Sequence, residues 1–491
     1  MERKRDNVIL MISDTFRFDA FMGLFNVKNK KARVPNLEEF RKRSIVFTRA
    51  YTASFPTVPH RHDVDVGKFT FTYYGWAPLP KNEIVLPEML RTNGYISMLI
   101  ADTPHILKDG FNYDRGFDGW VWIRGQENDR YRTAPKEVRL PCKPEKLRKV
   151  ETTIQHMRNN YHRYSEEDYI PAKTAKEAIR WLEENYREKF FLWVDFFDPH
   201  EPWDPPKWYV DMYDPGYSGE EVIYPVYGPR DYLTDEELEH IRALYAAEVT
   251  LVDRWIGAIL EKVEALGLYE NTTIIFTSDH GFYLGEHGLV GKSIIVGEYH
   301  GHAPLYEEVS HIPLAIRFSD KCVEEFGIKQ PYMLNGLVQP PDITATISDI
   351  AGVDFRKLNV QGETLLPYVR GEKNCFRELT VTSPSLIHGA KGGVRPTVVY
   401  ENWMAILASI EIPSESGEIT LIVDGIPRIL KPLSKIETEL YDLNNDPKQE
   451  NNLADKEREV IKIIHRKFIQ KLREWRCKED YLKPWYKIKI S

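Results

Sequence analysis

Four polar side chains stand just past apolar runs that are far apart in the chain. Asp14 closes "NVILMIS", Asp279 and His280 close "TTIIFTS", and His200 follows "FFLWVDFF" in "DFFDPHEPWDPP". A lone acid after a strand usually caps a helix or makes a turn. Several together, each at the edge where α/β sheets bind ligands, make independent capping the poorer explanation. Two carboxylates and an imidazole form an oxygen-rich set able to share one divalent cation, whose charge offsets the repulsion between Asp14 and Asp279.

The stretch "YTASFPTVPHRHDVDVGK", residues 51–68, supplies a reacting group. It is polar throughout and follows the apolar "SIVFTRA", so a surface loop is the plain reading. Pro59, however, fits the first turn of a helix, where its missing N–H costs nothing. Thr57 then sits at or near a helix N-terminus, a place that favours anions. As a simple residue it would be a cap; touching a cation, its hydroxyl could lose its proton and attack an ester centre. Arg61, one helical turn on, faces the same point.

These residues need a scaffold. Continuous apolar runs at 7–13, 95–101, 190–197 and 272–279 read as strands buried on both faces, as in a parallel sheet. Helical segments lie between them, at 34–44, 85–94, 172–188 and 234–267; the last opens on the capping box "TDEE" and closes on Gly267. The fold class is α/β: a large α/β/α sandwich around a mostly parallel central sheet. Residues 110–170 show little period and read as a surface excursion or the wall of a cleft. After about residue 375 the texture changes. "TVVYENWMAILASIE" and "EITLIVDGIPRIL" read as a short antiparallel sheet and "KEREVIKIIHRKFIQKLREW" as one amphipathic helix. The expected organisation is a catalytic domain over 1–375 and a smaller α+β subdomain over 376–491.

The 491 residues carry a net charge of −8, which gives no footprint for nucleic acid. No run approaches a membrane span, and "MERKRDNVILMISD" has no secretory h-region. Cys142, Cys322, Cys375 and Cys477 are scattered without metal-ligand spacing. Reduced thiols in a cytoplasmic protein are the expectation.

The quoted segments, taken in order, resemble the sulfatase family of the alkaline phosphatase superfamily. "NVILMISDTFRFD" is similar to the family's first metal strand, and "AYTASFPTVPHRHDVDVGK" to its nucleophile loop. "PHEPWDPP" resembles the substrate-histidine loop and "SDHGFYLGEHGLVGK" the second metal segment; "LYEEVSHIPLAIR" and "ELYDLNNDPKQENNLA" are further hallmarks. The resemblance implies that Asp14, Asp279 and His280 are metal ligands, with Thr57 at the nucleophile position and also touching the metal. It makes Arg61 the residue that steadies the nucleophile. His200 and Lys292 become the residues that hold the ester oxygens or protonate the leaving group, and His105 matches a site histidine of the family.

The departures carry information. Sulfatases use Cys or Ser oxidised to formylglycine, whereas the methyl on the β-carbon of Thr57 bars that aldehyde, so Thr57 must attack directly. Thr15 stands where a second metal aspartate is often found, Thr103 where a site lysine is expected, and His60 where the motif has serine. The expected function is a metal-dependent hydrolase of a small-molecule sulfate ester or a related phosphate or phosphonate ester, with one divalent cation (Ca²⁺, Mn²⁺, Mg²⁺ or Zn²⁺). The alternative is a two-metal phosphodiesterase or phosphonate monoester hydrolase, in which Asp198 and His200 help hold the second metal; a third is a non-catalytic anion-binding relative. Neither nucleic acid nor membrane is an expected partner, and a homo-oligomer is compatible with the sequence.

Overall fold

The computed structural model describes residues 6–490 except 297–298, 414, 416–417, 424–425 and 431–434. Its centre is an eight-stranded sheet. In chain order the strands are β1 (Asn7–Ser13), β2 (Ile45–Ala50), β3 (Ile96–Ala101), β4 (Gly119–Trp122), β5 (Phe190–Phe196), β6 (Thr272–Thr277), β7 (Leu314–Arg317) and β8 (Tyr332–Val338). They lie in the order β8-β2-β7-β6-β1-β5-β3-β4, and every neighbouring pair is parallel except the two made by β7. The mostly parallel sheet expected from the apolar runs is therefore present.

The two-residue period of the strands divides the interior into two cores. Ile9 and Met11 of β1 enter one, with Leu192, Val194, Ile274 and Phe276. Val8, Leu10 and Ile12 enter the other, with Phe191, Trp193 and Ile275. The first core is roofed by α2 (Ile170–Asn185) packed on α3 (Asp235–Ala265), and the second by α1 (Thr57–Val66) packed on α4 (Pro340–Ile350). The capping box of α3 forms: Glu237 N–H donates to Thr234 Oγ1 at 3.2 Å, and Thr234 N–H donates to the Glu237 carboxylate at 3.0 Å.

Strands β9 (Leu379–Thr382), β10 (Thr397–Tyr400), β11 (Trp403–Ile406) and β12 (Glu439–Asp442) form an antiparallel sheet covered by α5 (Arg458–Glu474). The expectation that "EITLIVDGIPRIL" joins this sheet is corrected: among the described residues Ile419–Val423 and Ile426–Leu430 pair only with each other, as a separate antiparallel two-stranded sheet. Ala53, Phe69 and Phe71, from the chain on either side of α1, belong to the same core as α5. Glu439 accepts from the Tyr306 hydroxyl at 2.6 Å, and Gln449 from Glu307 N–H at 3.0 Å. The carboxyl-terminal sheet thus braces the segments that carry the site.

The aperiodic region 110–170 contains more regular structure than its sequence suggests, namely β4 and a helix over Val150–Asn159. Strand β4 is the edge of the sheet and only half-buried, so it lacks the continuous apolar run that marks an inner strand. The four cysteines are free thiols. No helix among the described residues is long and apolar enough to cross a membrane.

Candidate active site

The polar stretch 51–68 is not a surface loop. All ten residues of α1 are buried. Of its carboxylates and imidazoles, Asp63 is fully partnered, whereas among the described residues the Asp65 carboxylate and the His62 ring are buried without a hydrogen-bond partner. Asp63 accepts from the N–H and hydroxyl of Ser54 at 2.7 and 2.6 Å and from those of Thr70 at 2.8 and 2.7 Å. These four bonds clamp both ends of the loop that presents Thr57. Asp63→Ala should strand the Ser54 and Thr70 donors and lower the unfolding free energy by about 3 kcal/mol. A chemical denaturation midpoint matching wild type at unchanged m would show that the clamp contributes nothing.

Thr57 is the first residue of α1 and the N-cap position is Pro56, with no side-chain cap. The capping reading of Thr57 therefore falls away. Its hydroxyl instead lies 3.4 Å from His280 Nε2 and 3.5 Å from Lys292 Nζ. Asp14, Asp279 and His280 offer ligand atoms that all lie within 4.8 Å of one another, and all three residues are fully buried. His280 Nδ1 is 3.0 Å from the Gly281 carbonyl, so Nδ1–H donates there and the Nε2 lone pair faces the carboxylates, the tautomer a metal needs. Burial, and to a lesser degree Lys292 and Arg61, push the imidazole down to about 3, which keeps it neutral. Gly281 is required for the close turn: a Cβ there would come within 2.0 Å of the Glu308 carbonyl oxygen.

Arg61 reaches back from α1 to this group. Its guanidinium donates to Thr57 O at 3.2 Å, to Asp14 at 3.0 Å and to Asp279, while its other edge holds Asp195 of β5 at 2.9 and 3.1 Å. One guanidinium thus faces three buried carboxylates. Burial, then the charge of Asp279, raises the Asp14 carboxyl well above its usual range. Two buried carboxylates with the unprotonated imidazole nitrogen of His280 beside them make a donor set that fits a divalent ion.

Thr15, at the position of the second metal aspartate, has φ of +62°. A β-branched residue in the left-handed region is strained by roughly 1–3 kcal/mol and persists only where its surroundings fix it. Here Thr15 N–H donates to Asp279 at 3.0 Å and its hydroxyl to Asp14 at 2.7 Å, so it orients both carboxylates. Thr103 donates its hydroxyl to Asp195. His60 turns away, to Thr52 Oγ1 at 3.1 Å.

Lys292 joins the two halves of the site. Its ammonium donates to Nε2 of His200 at 2.8 Å and of His280 at 3.2 Å. His200 Nδ1 lies 2.6 Å from the Glu201 carbonyl and 3.3 Å from its carboxylate, so Nδ1 carries the proton and Nε2 accepts. Burial, then Lys292, holds His200 well below its ordinary value. His105 does not reach Thr57 directly; it pairs with Glu127 at 3.0 Å. Arg148 ties Glu127, at 2.9 Å, to Glu201, at 3.1 Å, and lies 4.2 Å over the rings of both Tyr224 and Tyr227. In the alternative two-metal reading Asp198 and His200 help hold a second cation; the group that comes together around His200 is His200 with Glu127 and Glu201, whose ligand atoms lie within 4.8 Å of one another. Asp198 accepts from Gln126 at 2.8 Å, and Glu127 and Glu201 share the single guanidinium of Arg148.

Glu127, Arg148, Glu201 and Asp195 were absent from the sequence reading. Asp195 left a signal, as a carboxylate inside the otherwise apolar "FFLWVDFF"; Glu201 is adjacent to His200; Glu127 and Arg148 sit in the aperiodic region and left none.

Residues 6–353 match the family model described as Sulfatase. The chain belongs to the sulfatase family. It is accordingly an ester-bond hydrolase of the alkaline phosphatase superfamily. An endo-4-O-sulfatase of Bacteroides thetaiotaomicron is 26% identical over 100% of this chain and 95% of its own. Among solved structures, a phosphonate monoester hydrolase of Agrobacterium radiobacter superposes with a TM-score of 0.67 at 19% identity, covering 96% of each chain. A structure in complex with its substrate D-glucosamine-2-N,6-O-disulfate gives 0.68 at 19% identity over 97% of this chain and 99% of the other.

Proposed function

We propose that this family member is a metal-dependent hydrolase of a small sulfate ester, or a closely related phosphate or phosphonate ester, in which Thr57 attacks without prior modification. The observation that carries the reading is the Thr57 hydroxyl, free of any capping bond and set between His280 Nε2 and Lys292 Nζ. A divalent cation held by Asp14, Asp279 and His280 would supply the positive charge that eases loss of the Thr57 proton. Arg61 fixes both carboxylates and the backbone of Thr57, which holds the nucleophile in line. Lys292 is placed to bind the nonbridging oxygens. In attack, Thr57 Oγ1 bonds to sulfur or phosphorus, the bond to the leaving oxygen breaks, and that oxygen takes a proton; water then attacks the same centre and restores the threonine.

Threonine also favours a phosphorus centre. It lacks the second hydroxyl that a formylglycine diol has for expelling sulfate, so its ester must be cleared by water at sulfur or phosphorus. A phosphonate or phosphate ester is the second reading on that ground. A panel of aryl sulfates, phosphate monoesters, phosphodiesters and phosphonates, assayed with added metals, discriminates them.

The Lys292–His200 bond holds a proton at the leaving side of the cleft. We expect His200→Ala to slow an alkyl ester far more than a nitrophenyl ester, because only the poor leaving group needs protonation. Lys292→Ala should slow both, through lost binding of the nonbridging oxygens, and the alkyl ester further, because the proton in the Lys292–His200 bond is lost with it. Equal losses in kcat/KM for the two esters in His200→Ala would remove His200 from the proton path.

A further inference from the structure

A buried acid beside the site takes no part in the attack at Thr57. Glu127 is 3% exposed, and its backbone has φ of +45°, in the left-handed region that a residue with a Cβ seldom enters. Such a conformation persists only where its surroundings fix it, and it gathers at functional sites. The fixing contacts here are explicit. Glu127 N–H donates to His156 Nδ1 at 3.1 Å, while Glu127 Oε1 accepts from Arg148 at 2.9 Å and from the Tyr224 hydroxyl at 2.9 Å. The other oxygen, Oε2, is left facing His105 Nε2 at 3.0 Å.

His105 belongs to the site by packing. Its ring stands edge-on to Phe197 at 5.6 Å, and Phe197 in turn stacks on His200 at 4.1 Å. Trp76 also meets the His105 ring edge-on, at 5.2 Å. Burial outweighs the pull of Glu127 and pushes His105 below its ordinary value, so near pH 7 the ring is neutral and has one N–H. A bare nitrogen 3.0 Å from a carboxylate oxygen would set two lone pairs together, so the proton is on Nε2 and Nδ1 keeps its lone pair. Among the described residues Nδ1 makes no hydrogen bond, and the side chain is 16% exposed rather than sealed in. We propose that Glu127 is a positioning residue for ester cleavage: acting through His105, it keeps Nδ1 of that ring a hydrogen-bond acceptor for an O–H or N–H of the bound ester. His200 has other partners to fix its proton, the Glu201 carbonyl and Lys292. For His105 the fixing partner is Glu127. The proposal rests on this being the ester-cleaving site and not on which atom attacks.

Glu127→Gln tests it with the shape of the side chain kept. Arg148 and Tyr224 still need an oxygen at Oε1, so the new amide turns its NH₂ toward His105, whose proton must then move to Nδ1. The variant should give the circular dichroism of wild type, because Arg148 keeps its pairing with Glu201 at 3.1 Å. In full-length protein labelled with ¹⁵N-histidine, the His105 signal, identified by its loss in His105→Ala, should read as Nε2–H in wild type and as Nδ1–H in Glu127→Gln. For the ester that wild type cleaves fastest, Glu127→Gln should lower kcat/KM by about 10- to 100-fold, the scale of losing a group that orients a functional imidazole. Adding His105→Ala to it should leave the rate no lower than in His105→Ala alone, since both changes remove the same acceptor. An unchanged tautomer, an unchanged kcat/KM, or a double variant whose loss is the product of the two single losses overturns the proposal. Near-normal turnover in Thr57→Ala would change the identity of the nucleophile and neither of these readings.

Discussion

Thr57→Ala should lower kcat by on the order of 10³-fold or more while leaving the protein folded, because the proposed attacking group is removed and the rest of the site is kept. The hydroxyl makes no cap, and its two neighbours at 3.4 and 3.5 Å are the His280 and Lys292 side chains rather than backbone, so its loss leaves no structural bond of the helix unmade. Thr57→Ser should retain much of the rate, since the oxygen stays. Near-normal turnover in Thr57→Ala would show that the attacking group lies elsewhere.

Asp279→Ala should abolish bound metal and, with it, activity by a comparable factor. Asp279 is the hub of the carboxylate group: it accepts from Arg61, from Thr15 N–H at 3.0 Å and from its own neighbour His280 N–H at 2.8 Å. Removing it leaves Asp14 and His280, too few ligands to hold a divalent ion against dialysis. The fold should survive, because Arg61 keeps its two-bond pairing with Asp195 and its bond to Asp14. Elemental analysis after dialysis checks this; full occupancy in the variant would sink the ligand assignment.

The parts of this site that the sequence displayed are those where burial changes abruptly. Asp14, His200, Asp279 and His280 each follow a strand with uniformly buried residues, so the polar residue at the strand's end is conspicuous. Helix α1 was harder to read. It is buried on every side, so no polar face and apolar stripe alternate along it, and its Asp63 and Arg61 are satisfied by Ser54, Thr70, Asp14 and Asp195, which lie elsewhere in the chain. Hydropathy cannot register a charge that is paired through space. The Glu127–Arg148–Glu201 bridge is hidden for the same reason: its members are 21 and 53 residues apart and meet only after β5 and the Val150–Asn159 helix are in place. Strand β8, "YMLNGLV", escaped because Asn335 and Gly336 interrupt its apolar run.

Direct attack by an unmodified threonine is the claim on which the rest depends, and it leaves a chemical mark. Peptide mass spectrometry of the segment containing Thr57, on protein acid-quenched during steady-state turnover of its best ester, reads that mark. The account predicts plain threonine before substrate is added and a sulfuryl or phosphoryl group on Thr57 in the quenched sample. An aldehyde at position 57 before turnover, or a fully active enzyme whose quenched Thr57 peptide never carries the group while another residue does, would contradict it.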